Sequence, residues 1–244
     1  MKGRERLIVA LDTDSFDKAK DLIDKLDEVV DIFKVGLEQY IATKGKIIEY
    51  LKDKNKKIFL DLKFHDIPNT MMSAVREVTK DNVWMMTIHV SDIEGMKQVA
   101  KIAKEQAEEL NIQKPIIVAV TVLTSLDEKD LKDIGCNLDI QEAVIKRAKL
   151  AKEAEIDGVV CSAQEASYIV ENCGPDFVTV CPGIRPSSLD AGDQKRVVNP
   201  TEAIQNGAHY LVVGRPITQS HNPKESAINM MKEIEKAWEV RYES

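Results

Sequence analysis

The sequence predicts a closed (β/α)8 barrel, a TIM barrel, on three observations: eight short apolar runs, longer helical patterns between them, and helix-start signals at their junctions. A length of 244 residues suits one α/β domain of this kind. No repeat, low-complexity tract or linker interrupts the chain, so residues 1–244 read as a single domain.

The first run, Leu7–Asp12, leads into Phe16–Glu28, whose apolar residues recur at the three- and four-residue spacing of a one-sided helix. Ile32–Gly36 and Lys57–Lys63 are the second and third strands, and Met85–Val90 is the fourth. After the fourth, Ser91-Asp-Ile-Glu94 reads as a capping box, in which a hydroxyl and a carboxylate satisfy orphan N–H groups at a helix start. Ile116–Thr124 is the fifth strand, with Ser125-Leu-Asp-Glu128 as the next such box. The helical pattern Ala143–Glu155 precedes the sixth strand, Gly158–Ser162, which ends in Ser162-Ala-Gln-Glu165. Phe177–Gly183 is the seventh strand and Tyr210–Pro216 the eighth. Asn199-Pro-Thr-Glu202 and Asn222-Pro-Lys-Glu225 each place a capping Asn before a proline at the first helical position. The strands are rich in Val and Ile, as parallel strands covered on both faces must be. The competing fold is an open doubly wound sheet, but no G-x-G-x-x-G follows the first strand.

Composition narrows the function. With 43% hydrophobic and 31% charged residues, the chain has the balance of a water-soluble enzyme. A net charge of −7 argues against nucleic-acid binding, which needs a basic face. The longest uncharged stretch, Pro115–Leu126, is too short for a membrane span of about 20 residues. The charged segment Met1–Leu7 has no apolar centre, so no signal peptide is expected. Cys136, Cys161, Cys173 and Cys181 lack metal or redox spacing and read as free thiols of a cytoplasmic protein. Trp84, Trp238 and the paired methionines read as packing residues.

Barrel chemistry sits at the carboxyl ends of strands. Those ends supply Asp12, Lys34, Asp61, Lys63 and Asp66. Alternation places Asp61 and Lys63 on one face of the third strand. A lone Asp-x-Lys pair is more often an ordinary ion pair, but five charges directed at one face point to a site. An ammonium held between carboxylates keeps its proton, which suits a general acid and not a Schiff-base amine. After the seventh strand, residues 182–196 form a long aperiodic segment with Pro and Gly hinges, Arg185 and Gln194, expected to act as a lid that grips an anion. Gly214 and Arg215 follow the eighth strand, where barrels commonly bind phosphate. His89 could face the site, although a structural imidazole is the commoner role. His65, His209 and His221 show no metal-ligand spacing.

The segment Asp61-Leu-Lys-Phe-His-Asp-Ile-Pro-Asn-Thr70 resembles the signature of the orotidine 5′-monophosphate decarboxylase family. The likeness extends through Val9-Ala-Leu-Asp12, Phe33-Lys-Val-Gly36, Thr121-Val-Leu-Thr-Ser125, Pro182-Gly-Ile-Arg-Pro186 and Val212-Val-Gly-Arg-Pro-Ile217, in family order across nearly the whole chain. The segment Val90-Ser-Asp-Ile-Glu94 departs from the family, which often has small residues there. The resemblance implies removal of carbon dioxide from orotidine 5′-monophosphate to give uridine 5′-monophosphate, without metal or organic cofactor. It implies Lys63 as proton donor to ring carbon 6, within a charged tetrad with Lys34, Asp61 and Asp66. Asp12 and Lys34 would contact the ribose and Thr124 the pyrimidine, while Pro182, Arg185, Gln194, Gly214 and Arg215 would serve the phosphate and lid. It further implies a homodimer whose Asp66 and Thr70 enter the neighbouring subunit's site. A magnesium-dependent sugar-phosphate decarboxylase or synthase on the same barrel is the nearest alternative, and a noncatalytic nucleotide-binding barrel is the other.

Overall fold

Every apolar run becomes a parallel strand in the computed structural model, which describes residues 2–186 and 198–242. The strands are β1 (Leu7–Ala10), β2 (Ile32–Gly36), β3 (Lys57–Phe64), β4 (Met85–His89), β5 (Ile116–Val120), β6 (Gly158–Val160), β7 (Val178–Cys181) and β8 (Tyr210–Val213). They pair in sequence order, and β8 closes onto β1. Ile8 lies beside Ile32, and Phe33 beside Ile58. Because side chains alternate across a strand, one set fills the barrel and the other meets the helices. Ile8, Ala10, Ile32, Phe59, Met85, Val118, Val180 and Val212 form the inner plug. Their neighbours Val9, Phe33, Leu60, Met86 and Leu211 join the larger outer core beneath the helices.

Several strands are shorter than the sequence suggested. β1 stops at Ala10, β5 at Val120 and β8 at Val213, so Asp12 and Thr124 sit on the loops beyond and Arg215 opens the short helix Arg215–Thr218. The ladder ends where the chain leaves the barrel wall, while the apolar pattern continues into residues that line the mouth. β3 is longer than its neighbours, and its register on β4 breaks between Leu60 and Phe64.

Two predicted caps shift. The helix Ile93–Leu110 is capped by Asp92, whose carboxylate accepts the Gly95 N–H at 2.6 Å, and not by Ser91. The helix Glu128–Asp133 is capped by Asp127, which exchanges hydrogen bonds with Asp130 at 3.0 and 2.9 Å, and not by Ser125. In both places a carboxylate one or two residues along offers the N–H groups a charged acceptor. After β6 the Glu165 carboxylate accepts the Ser162 N–H at 2.9 Å, but a turn intervenes and the helix starts at Ala166. Asn199 and Asn222 cap as expected, accepting from Glu202 and Glu225 at 2.8 and 3.3 Å. Trp84 packs edge-on against Tyr210 and Trp238 stacks on Tyr242, as packing residues do. Among the described residues no helix is long and apolar enough to cross a membrane.

Gly158 shows how closely β6 and β7 approach. A Cβ at this position would overlap the carbonyl of Val178 on the adjacent strand. Gly158→Ala should therefore force the strands apart and destabilise the protein by about 1–3 kcal/mol. Urea denaturation of the two proteins measures this, and an unchanged midpoint would contradict the tight approach.

Candidate active site

At the carboxyl end of the barrel, strand geometry turns sequence spacing into a line of charge. Lys34, on β2, is almost fully buried and reaches Asp12 at 2.9 Å and Asp61 at 3.5 Å. Asp61, on β3, accepts from the Lys63 ammonium through both oxygens at 2.9 Å. The order Asp12–Lys34–Asp61–Lys63 thus alternates in sign. Burial by itself would lower the Lys34 pKa and raise that of Asp61, because each charged form loses water. Opposite charges reverse both effects: Asp61 and then Asp12 hold Lys34 above its ordinary value, and Lys34 and then Lys63 hold Asp61 below its own.

Lys63 does not occupy an ordinary strand position. Its φ is +51°, in the left-handed region that disfavours a side chain, within the stretch where β3 and β4 lose register. Such backbone costs of order 1–3 kcal/mol and persists where surroundings over-determine it. Thr87, completely buried on β4, supplies part of that constraint. Its hydroxyl accepts the Lys63 backbone N–H at 2.8 Å and donates to Asp61 at 3.0 Å. Gly36 supplies room, since a Cβ there would lie 2.8 Å from the Lys34 ammonium and 3.3 Å from Asp12. Sequence reading passed over Thr87 and used Gly36 only as part of a motif. Alternation puts Thr87 on the inward face of β4 with Met85, but does not say what its hydroxyl meets.

These charges line one side of a cavity of about 510 Å³. Val120, Val160, Val180 and Val212 form its apolar floor, and Thr124 and Ser125 add hydroxyls at the rim. Pro182, Arg185, Gly214 and Arg215 complete the wall. Arg185 is buried; that burial, and then the nearby Arg215, push its guanidinium below its ordinary pKa. Two guanidiniums in one wall provide a setting that a polyanionic group would relieve. A Cβ on Gly214 would meet only Ala10 and Asp12, at 3.7 and 3.8 Å, both of them cavity residues. The glycine therefore keeps open space belonging to the cavity. The base of the long segment is pinned by a bridge between Ile184 and Val198. Gln194 and the remainder of the expected lid, residues 187–196, lie outside the described residues.

Two predicted residues do not join the others within one chain. Asp66 is exposed and accepts the N–H of Ile67 at 2.7 Å, and Thr70 is exposed near the start of the helix Pro68–Lys80. Neither lines the cavity, so Lys63 is flanked in its own chain by Asp61 and not by Asp66. The chain turns into the helix immediately after β3 and carries both side chains away from the mouth. His65 and His89 lie beside each other, ring centres 5.4 Å apart, outside the cavity lining. Burial, followed by the nearby His65 and Lys63, lowers the His89 pKa. Among the described residues no three His, Cys, Asp or Glu side chains are grouped as metal ligands.

A family model described as "Orotidine 5′-phosphate decarboxylase / HUMPS family" matches residues 5–230. The orotidine 5′-phosphate decarboxylase of Moorella thermoacetica is 44% identical over 237 residues, covering 96% of this chain and 94% of its own. That of Pasteurella multocida is 46% identical over 220 residues, covering 90% of this chain and 93% of its own. Among solved structures, orotidine 5′-phosphate decarboxylase from Lactobacillus acidophilus superposes with a TM-score of 0.80 at 35% identity, covering 94% of this chain and 98% of that one.

The charge network has a defined pH signature. Asp61, held below its ordinary value, contributes stability that is present above the unfolded-state pKa of about 3.9 and lost as pH falls through its folded value. Lys34, held above its ordinary value, contributes stability present below about 10.4 and lost as pH rises through its folded value. The stability difference between wild type and Asp61→Asn should be flat from about pH 5 to 9 and shrink below about pH 4. Urea titrations across that range test it, and a difference that grows toward acid would reverse the assigned sign.

Proposed function

The chain belongs to the orotidine 5′-phosphate decarboxylase/HUMPS family, and from the charge order in its pocket we infer how it converts orotidine 5′-monophosphate into uridine 5′-monophosphate and carbon dioxide. The observation that carries this reading is the buried Asp61 carboxylate between the ammonium groups of Lys34 and Lys63, at the edge of a cavity with a valine floor. Breaking the bond to the substrate carboxylate leaves an sp² carbanion at ring carbon 6 that no adjacent carbonyl delocalises. Stabilisation must therefore come from fixed charge in a water-poor site.

Lys63 is the cation placed next to that carbon and the donor of its replacement proton. Asp61 orients Lys63 and repels the substrate carboxylate, a ground-state effect relieved as carbon dioxide leaves. Lys34 holds Asp61 ionised and, with Asp12, binds the ribose hydroxyls. Thr124 contacts the pyrimidine, the valine floor receives its face, and Pro182, Gly214, Arg185 and Arg215 hold the phosphate. Binding energy from this remote group can be applied at the reacting bond. The acceleration required lies toward the upper part of the ~8–23 kcal/mol range of enzymes. We propose that the reaction uses neither a metal nor an organic cofactor, a reading supported by the engagement of Asp12 and Asp61 by ammonium groups.

We propose that the barrel acts as a single domain, 1–244, and as a homodimer in the cytoplasm. The support for the dimer is Asp66 and Thr70, exposed and apart from their own chain's cavity beside the largely exposed Ile67. The support for a reducing compartment is that Cys161 and Cys181 are free thiols whose buried sulfurs lie 3.9 Å apart.

Loss of orotidine 5′-monophosphate absorbance should be unaffected by a chelator and should fall to a trace in Lys63→Ala, which still binds uridine 5′-monophosphate. Inhibition by the chelator would favour the magnesium-dependent alternative. Retention of a tenth of turnover would remove Lys63 from the donor role.

The shared site is tested by mixing two inactive homodimers, Lys63→Ala and Asp66→Asn. In a hybrid, one site contains Lys63 of one chain and Asp66 of the other, both intact, while the second site carries both lesions. Random exchange makes about half of all dimers hybrid, so activity should recover to about a quarter of wild type. A mixture that stays inactive after verified exchange would place Asp66 within its own chain's chemistry.

A further inference from the structure

Thr87 lies outside the cavity lining, yet it touches two parts of the reacting machinery. β3 advances four residues between Leu60 and Phe64 while β4 advances only two, from Met86 to Ile88. Thr87 is the single β4 residue facing that excess chain, which contains Asp61 and Lys63. The bulge takes the Lys63 N–H out of the regular ladder, and the Thr87 hydroxyl oxygen accepts it at 2.8 Å. The same hydroxyl has one hydrogen, and it is directed to the Asp61 carboxylate at 3.0 Å. Donor and acceptor capacity are thus both used on residues two apart in sequence. β-branching restricts the rotation that would release either bond.

We infer that Thr87 is a positioning residue for the decarboxylation: its hydroxyl ties the left-handed backbone of Lys63 to the carboxylate of Asp61 and so fixes where the Lys63 ammonium stands. The inference rests on the reading of Lys63 as proton donor. It assigns Thr87 no contact with substrate. Loss of the hydroxyl should then impair the chemical step and leave nucleotide binding in place, because the groups that line the cavity are untouched.

The test compares Thr87→Ser, Thr87→Ala and Thr87→Val in the full-length protein, reading kcat, KM and the Kd for uridine 5′-monophosphate. A misplacement of about 1 Å at a reacting group can cost about a hundredfold, so Ala and Val should lose about that much in kcat while Kd changes by less than about threefold. Ser restores both hydrogen bonds and should stay within about threefold of wild-type kcat, which a role in mere packing would not produce. Should Val fail to fold, the pair of smaller variants decides the matter. Equal kcat for Ser and Ala, or a loss in Ala confined to KM and Kd, would overturn the inference. Running Lys63→Ala beside them separates two failures: activity there removes the donor reading itself, whereas an inactive Lys63→Ala with an active Thr87→Ala removes only the role of Thr87.

Discussion

The buried carboxylate of Asp61 is the constraint on which the rest of the site depends. An ion removed from water incurs a penalty of several kcal/mol, offset only where opposite charge and hydrogen bonds surround it. Here Lys34, Lys63 and the Thr87 hydroxyl provide them, and each arrives from a different place on β2, β3 or β4. A slip of one residue in any of these strands would turn its group toward the helices. Keeping Asp61 ionised therefore sets the register of three adjacent strands. It also requires Gly36, because a larger residue would displace Lys34 from Asp12.

The remainder of the cavity is built on the opposite principle. Its floor is made of valines from β5 to β8, which leave few polar groups to compete for a bound ring. Low polarity beside fixed charges strengthens their interaction with any charge that develops on the substrate. The protein is acidic overall, with a net charge of −7, so an anionic substrate is not favoured by the molecule's average field. Arg185 and Arg215 create a local cationic wall instead. Arg215 is also one of the causes that lower the Arg185 pKa, after burial.

Lys63 shows how local strain and function coincide. Ordinary strand geometry would place a side chain alternately in and out, but the residue sits at φ +51° inside a register break. The surrounding hydrogen bonds hold a conformation that the isolated chain would seldom adopt. Beyond this bulge Asp66 and Thr70 are exposed, so one short motif has members both inside and outside the cavity lining.

Much of this protein is legible in its sequence, because strand and helix periods are local properties. The eight runs, the helices between them and the inward pairing of Asp61 with Lys63 follow from residue spacing. So does the placement of Asp12, Lys34 and Arg215 near one rim. The register break in β3 could not be read, since alternation continues through a bulge without any mark in the residue types. Thr87 was hidden for a related reason: a threonine on a strand is ordinary until the strand beside it is known. The two displaced caps, Asp92 and Asp127, were decided by where the ladder released the chain, because several neighbouring side chains could each have served. Spacing brings residues to one face, whereas the contacts among β2, β3 and β4 determine which atoms meet.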